Sequence, residues 1–309
     1  MIVAVQIDPL ESLNQHTDTS LFLCEEAISL GYTVYTFQPS SLQYRDQSLW
    51  AQVSRVERSD LSQIASLPSQ LLNLDEVDII LVRQDPPFDM AYLANTYLLD
   101  HAKARVINAP HALRHVSEKM SALYFPHFIP PTVMSYKAED ILVFLKVHHK
   151  AILKPLFHCG GEGITLLEEP DPNLSAVLSH FQKTYPGPFL VQKFLPTIQT
   201  EGDKRIFILD GDVVAAYGRK PAPESICANT RQNGSIFACT LTERDLIIAQ
   251  EVGAWLKAQG VFLAGIDLIG DYLIEINVTS PTGFRAVQHL YGMNLANLFW
   301  EKAKTQNKF

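Results

Sequence analysis

The stretch LAGIDLIGDYLIEINV, residues 263–278, constrains the fold more than any other part of the chain. Ile266 and Leu268 alternate with Asp267, and Ile274, Ile276 and Val278 alternate with Glu275 and Asn277, so two strands with one apolar face each are implied. Register decides the chemistry. If Gly270-Asp271 alone form the loop, Asp267 pairs with Ile274 and the apolar faces are split. If Gly270-Asp271-Tyr272 form it, Ile266 faces Ile276, Leu268 faces Ile274 and Asp267 faces Glu275. Burying both apolar faces together favours the second register, which also gathers Asp267, Glu275 and Asn277 on one side. Directly opposed Cβ atoms lie about 4.5–5.5 Å apart. Two carboxylates that close are costly unless a cation or proton intervenes. An all-oxygen Asp/Glu/Asn set suits Mg²⁺, which typically shares substrate phosphates. The same alternation also suits a sheet whose polar face simply meets solvent. The ligand reading predicts that Asp267→Asn abolishes activity and leaves the melting temperature nearly intact.

Around this hairpin lies a chain of 309 residues, 47% hydrophobic, with 25 Lys+Arg against 33 Asp+Glu and a net charge of −8. At roughly 100–200 residues per domain, the length allows two or three units with ample core, which excludes disorder. The acidic balance offers no global field to a polyanion, so neither nucleic acid nor an anionic membrane is expected as a partner. One small phosphate ligand could still be held locally. The start MIVAVQID has no basic leader, and no apolar run approaches the ~18 residues of a membrane span, so a soluble, cytoplasmic protein is expected. Cys24, Cys159, Cys227 and Cys239 are too scattered for a disulfide framework or zinc knuckle and read as reduced thiols. A homo-oligomer is expected.

The first third reads as an α/β unit. Ile2–Ile7 and Tyr32–Phe37 are strands flanking a helix at Leu21–Leu30, which starts behind Thr17-Asp18-Thr19 and stops at Gly31. VDIILV (Val77–Val82) is a buried-type strand ending at Arg83, followed by a helix near Asp89–Lys103. Such alternation implies a parallel sheet whose ligands sit at the strand carboxyl ends, where Asp8 and Arg83 fall. Next, Ser117 caps a short helix with Glu118 and Lys119, and Pro126, Pro130 and Pro131 interrupt the chain. A helix at Ala138–Val147, a strand carrying Lys154, a turn with Gly160, Gly161 and Gly163, and a strand at Ile164–Leu167 complete a small lobe. Its strand, glycine loop, strand order differs from a P-loop or Rossmann unit. The last third begins near Thr197, with a hairpin of Arg205–Leu209 and Val213–Tyr217 through Asp210-Gly211. Lys220–Thr240 is long and polar, the signature of a functional loop. Thr242 and Asp245 resemble a capping box opening a helix to Gln259. The chain thus divides into 1–117, 118–196 and 197–309.

Lys154 lies on a strand that otherwise reads as buried, and a buried Lys needs an anionic partner, so a ligand contact is favoured there. Lys119, taken alone, suits a solvated surface. Gly160 and Gly161 can expose backbone N–H groups to phosphate oxygens. In PFLVQKFLP a strand edge could read an adenine between Phe194 and Leu195, or serve as an ordinary interdomain strand.

Taken in order, VRQDPPFD, NAPHALRHVSEKMSALYF, ILKPL with its glycine pair, VQKFLP, GDKRIFILDGDVV and GIDLIGDYLIEINVTSPT resemble the bacterial glutathione synthetases, ATP-grasp ligases. The resemblance runs from about Ile2 to the final helix, and its specific stretches are RQDPPFD and the GIDLIGD…EINVTSPT hairpin. It implies an α/β, three-part ATP-grasp fold with an N-terminal parallel-sheet domain, and ATP between the central and C-terminal lobes. By matching positions, Lys119 and Lys154 would hold ATP phosphates, Gly160 and Gly161 would close over them, and Gln192, Lys193, Phe194 and Leu195 would form the adenine-side hinge. Asp203 would be a nucleotide contact. Asp267, Glu275 and Asn277 would bind two Mg²⁺, with Mn²⁺ able to replace it. Arg205, Arg219, Asn277 and Ser280 would approach the reacting carboxylate, with Arg83, Arg219 and Ser280 on the peptide substrate.

The implied chemistry is C–N ligation through an acyl phosphate, from γ-glutamylcysteine and glycine, under a lid at Lys220–Thr240. Two loops depart from the family pattern. Cys227 falls where an Arg is usual, with Asn229 and Gly234 still fitting and Arg231 four residues on. Phe157-His158-Cys159 replaces Asp-Gly-Met, and Glu162 adds a carboxylate beside the phosphates. The alternatives are a related ATP-grasp ligase joining another carboxylate and amine, and a non-catalytic nucleotide-binding protein.

Overall fold

The structure, a computed structural model, describes residues 1–9, 12–57, 68–222, 225 and 234–305. Strand β1 (Ile2–Gln6) pairs in parallel with β2 (Thr33–Phe37) across helix α1 (Thr19–Ser29). Asp18 caps α1 by accepting from the Leu21 amide at 2.9 Å. Strands β3 (Gln43–Arg45), β4 (Ser48–Val56) and β5 (Ser69–Asn73) extend this sheet in antiparallel fashion. β3 and most of β5 are exposed and lack an apolar stripe, so the sequence pattern did not signal them, whereas β4 carries an alternating buried stripe at Leu49, Ala51 and Val53. Strand β6 (Ile79–Val82), buried at every position, pairs with β1, and after α2 (Met90–Leu99) the strand β7 (Arg105–Ile107) closes the sheet. The order is β3-β4-β2-β1-β6-β7, with β5 beside β4. Because β1 and β6 are parallel neighbours ending at Gln6 and Val82, Asp8 and Arg83 leave from adjacent carboxyl ends.

After α3 (Pro110–His115) the expected Ser117-capped helix is absent, replaced by a turn and a short 3₁₀ segment at Ser121–Tyr124. The Glu118 carbonyl, which a helix would use internally, accepts instead from the Ile276 amide at 2.9 Å. The central lobe comprises β8 (Thr132–Ser135), α4 (Ala138–His148), β9 (Lys150–Lys154), β10 (Thr165–Glu168), α5 (Leu174–Thr184) and β11 (Phe189–Lys193), in sheet order β10-β9-β11-β8. It has a core of its own, in which Ile141 and Leu145 meet Leu153, Leu178, Phe181 and Val191. Strand β11 lies inside this sheet, between β9 and β8.

A short α6 (Thr197–Thr200) leads to β12 (Asp203–Leu209), β13 (Asp212–Lys220), β14 (Ser235–Phe237), α7 (Glu243–Ala258), β15 (Leu263–Ile269), β16 (Tyr272–Asn277), α8 (Phe284–Tyr291) and α9 (Leu295–Thr305). The sheet order is β14-β13-β12-β15-β16. Asp210-Gly211 makes the predicted turn, with φ of 54° and 85°, and Thr242 and Asp245 form the predicted capping box on α7. Part of the expected Lys220–Thr240 loop is strand β14. Its positions Cys227, Asn229 and Arg231 lie outside the described residues.

The first and third sheets share their cores: Ala4 and Ile80 join Ile206 and Ile266, while Val3 and Val5 join Phe207 and Phe299. Asn108 locks the two together. Its amide nitrogen donates to the Leu263 and Val278 carbonyls at 2.8 and 2.7 Å, and its oxygen accepts from the Phe262 and Leu263 amides at 2.8 and 2.9 Å. Among the described residues no helix is long and apolar enough to cross a membrane.

Candidate active site

The hairpin of β15 and β16 sets Ile266 opposite Ile276 and Asp267 opposite Glu275, as expected. Its turn differs. Ile269 pairs with Tyr272 across Gly270-Asp271, Leu268 pairs with Leu273, and a bulge between Asp267 and Leu268 restores the register. The extra residue is Ile274. It lines the cleft with Glu275, and Leu273 takes the core position expected of it.

Between the second and third sheets lies an inner cleft of about 1020 Å³. Its lining brings together Lys119, Lys154, Gly160, Gly161, Gln192, Lys193, Phe194, Leu195, Asp203, Arg205, Arg219, Asp267, Glu275 and Asn277. Its apolar walls add Ile152, Ile164, Ile198 and Ile269, none of which the sequence pattern singled out as a ligand contact. Gly160, Gly161 and Gly163 adopt φ of 69°, 79° and 67°, a region that L side chains enter only with strain. The Lys193 and Phe194 amides are taken by the Pro131 and Lys150 carbonyls at 2.9 and 3.0 Å, so these two donors are not offered to a ring.

Several charged groups of the cleft are engaged with one another. Arg205 grips Asp267 with two hydrogen bonds, Nε to Oδ1 at 2.5 Å and Nη2 to Oδ2 at 2.8 Å. Arg219 holds Asp203 in the same way, at 2.8 and 2.7 Å, and touches Asp267 Oδ1 at 3.0 Å. Asp203 is thus turned to a guanidinium within the cleft wall. Burial would raise the Asp267 carboxyl, but Arg205 and Arg219 outweigh it and hold the group well below the usual carboxylate range. Lys119 pairs with Glu275 Oε1 at 3.0 Å and donates to the His158 carbonyl. Burial pulls its ammonium down, yet Glu275 and Glu118 prevail and keep it above its ordinary value. Lys154 donates to Gln192 Oε1 and, at 3.5 Å, to the Ile274 carbonyl.

The Asp267, Glu275 and Asn277 wall fits a divalent cation by donor chemistry. Asn277 Nδ2 donates to the Gly265 carbonyl and to Asp267 Oδ2, both at 3.2 Å, contacts that leave its amide oxygen unused. Two carboxylates and an amide oxygen are the donor type of a hard cation.

Arg83 and Ser280 stand apart from this cleft. Arg83 is buried, its Nε donating to Ser20 Oγ at 3.1 Å and its Nη2 to the Pro281 carbonyl at 3.0 Å, with Nη1 left without a protein partner. Ser280 donates to Asp85 Oδ1. An outer cleft of about 2040 Å³ is lined by Asp8, Asp18, Asp85, Tyr217, Thr282 and Arg285 among others; Ser280 reaches its wall through Asp85, and Arg83 is not among its lining residues. Arg205 stands on the partition, since its Nη1 donates to the Thr282 carbonyl at 3.2 Å.

Two antiparallel sheets closing on a cationic cleft, beside a parallel-sheet domain, define the ATP-grasp class of ligases. The chain superposes on D-cycloserine synthetase DcsG with a TM-score of 0.68 at 12% identity, covering 98% of both chains. It matches the macrocyclase MdnC of Microcystis aeruginosa, bound with precursor peptide MdnA, with a TM-score of 0.65 at 15% identity and 99% coverage of both. At these identities the likeness is one of fold. Sequence narrows the class: residues 1–114 match the prokaryotic glutathione synthetase N-terminal domain, and residues 118–292 its ATP-grasp domain. The chain is 37% identical over 310 residues to the glutathione synthetase of Mesorhizobium japonicum, covering 99% of each. It is 36% identical over 309 residues to that of Thermosynechococcus vestitus, covering 96% and 97%. The chain belongs to the prokaryotic glutathione synthetase family, whose members are ATP-dependent ligases working with a divalent metal.

Proposed function

We propose that the chain joins γ-glutamylcysteine to glycine, with ATP in the inner cleft and the peptide in the outer one. The observation that carries this reading is the placement of Arg205 and Arg219, buried in the inner cleft, with Arg205 also bonded to the rim of the outer cleft. A peptide carboxylate entering from the outer side would meet the γ-phosphate at that partition. Its oxygen attacks the γ-phosphorus, ADP leaves, and the resulting acyl phosphate is attacked at carbon by the glycine amine, releasing inorganic phosphate and the amine proton. The protein's task in such a step is positioning and charge stabilisation. Lys119 and Lys154 would face the triphosphate, the Gly160-Gly161 loop would offer its amides, and Gln192 to Leu195 with the isoleucine walls would hold the adenine. Asp203 would orient Arg219. Arg83 and Ser280 would contact the peptide.

Asp267, Glu275 and Asn277 would hold Mg²⁺, two ions in the full reading, with Mn²⁺ as a substitute. Such an ion neutralises phosphate charge when bound. Two of these side chains are ion-paired within the protein, Asp267 with Arg205 and Glu275 with Lys119. The sheets suggest the units 1–117, 118–196 and 197–309. A different carboxylate and amine pair is less favoured, since full-length relatives at 34–37% identity are glutathione synthetases. Phosphate release measured with γ-glutamylcysteine plus glycine, against a panel of other pairs, tests the reading. Strong stimulation by the first pair is expected, and none would reject it.

A further inference from the structure

Residues 118–128 run along the outer side of β16, the edge strand of its sheet. The Ile276 amide donates to the Glu118 carbonyl at 2.9 Å and the Leu273 amide to the Phe128 carbonyl at 2.7 Å. The Glu118 side chain continues this contact past the end of the strand. Its Oε1 accepts from the Val278 amide at 2.9 Å, the Thr279 amide at 3.1 Å and Thr279 Oγ1 at 2.8 Å. The Val278 carbonyl is held from the other side by Asn108 Nδ2 at 2.7 Å. Asn277 is thereby followed by a residue fixed at both backbone groups, and Glu118 is followed by Lys119, whose ammonium rests on Glu275 Oε1.

Glu118 does not line the inner cleft, whereas Lys119, Glu275 and Asn277 do. It borders a separate cavity of about 620 Å³ with Ser117, Met120 and Thr279. Nothing in this geometry brings the Glu118 carboxylate to a phosphate. We infer that Glu118 is a positioning residue: it clamps residues 278–279 to the segment carrying Lys119, and so fixes the spacing between that lysine and the Glu275 and Asn277 oxygens. The inference rests on the nucleotide and metal reading of those three residues. Three donors converging on one oxygen need an acceptor there, and an orphaned buried amide costs more than a lost hydrogen bond contributes. A glutamine oxygen can accept the same three bonds without the charge. An alanine cannot.

The test compares E118Q, E118A and T279V with the parent protein, by calorimetric binding of ADP with and without Mg²⁺ and by hydrogen exchange at the Val278 and Thr279 amides. For E118A the gain in ADP affinity on adding Mg²⁺ is expected to shrink roughly tenfold, with metal-free ADP affinity unchanged. The two amides exchange correspondingly faster. E118Q keeps both properties within about twofold, and T279V, which loses one of the three bonds, falls between. The clamp is refuted if E118A matches the parent, if E118Q is as impaired as E118A, or if ADP affinity drops equally with and without metal. Should E118A not fold, T279V decides: a severalfold loss of the Mg²⁺-dependent gain supports the clamp and no loss overturns it. A parent protein that binds no ADP would defeat the ligase reading instead, and the exchange rates would still report on the clamp.

Discussion

Replacing Asp267 by Asn tests two roles of one carboxylate. The alternation of Asp267 with apolar neighbours made it a metal-ligand candidate whose loss should spare stability, but the structure adds a second duty. Asp267 is the counter-charge of Arg205 and a partner of Arg219, all three buried. Removing one member of a buried pair leaves an uncompensated charge and costs about 3–5 kcal/mol. D267N is therefore expected to lose activity and also to lower the unfolding free energy by that amount, read as a lower urea midpoint at unchanged m. The pH dependence has a fixed sign. Because the folded pKa of Asp267 lies below its unfolded value, its contribution is present above about pH 4 and is lost as the pH falls further. The stability gap between D267N and parent should be flat from pH 5 to pH 8 and close only in stronger acid. An unchanged midpoint at neutral pH would show that the arginines find other partners. Lys154 was legible from its apolar strand, whereas Lys119 was legible only through family resemblance, since its partner Glu275 lies far along the chain. Nothing in the spacing of single residues signals a pair formed across two lobes.

At the scale of elements, the β15–β16 hairpin shows both the reach and the limit of pattern reading. Period-two alternation located both strands and set Asp267 opposite Glu275. It could not show the bulge at Ile274, because an inserted residue changes the pairing without changing the residue types. In the antiparallel excursion, β3 gave no signal for the opposite reason, a lack of any buried stripe, whereas β4 alternates buried Leu49, Ala51 and Val53 with more exposed neighbours. Close packing decides a further property of this sheet. Gly265 lies across from Asn277, and a Cβ there would stand 2.9 Å from Arg205 Cδ and 3.3 Å from Arg205 Nε and Pro281 Cβ. The missing side chain is what lets Arg205 lie flat across β15 to reach Asp267. Gly265→Ala should displace the guanidinium and lower kcat roughly tenfold or more, as small misplacements in an active site do. Steady-state kinetics alongside circular dichroism would separate this from loss of the sheet, and parent-like kcat would show that Arg205 has room to move.

The whole molecule is held by contacts between the first and third sheets. Asn108 satisfies four backbone groups of Phe262, Leu263 and Val278 from a buried position. Alanine at 108 would orphan them, and at about 1–3 kcal/mol for each unsatisfied group the loss rivals the stability of a whole domain. Asn108→Ala should therefore unfold at much lower denaturant, with the central lobe, which has its own core, keeping protected amides in hydrogen exchange after the rest has opened. Simultaneous loss of protection everywhere would show a single cooperative unit. A corollary concerns the order of synthesis. Leu21 and Leu23 in α1 wait for Leu295, Phe299 and Trp300 in α9, and the Trp300 indole donates to the Leu23 carbonyl at 2.9 Å. On a ribosome, the first sheet emerges with its apolar face uncovered, the middle lobe can complete itself next, and only release of the last helix closes the core. A nascent chain of this layout keeps apolar surface uncovered until α9 has emerged, the interval in which association competes with folding.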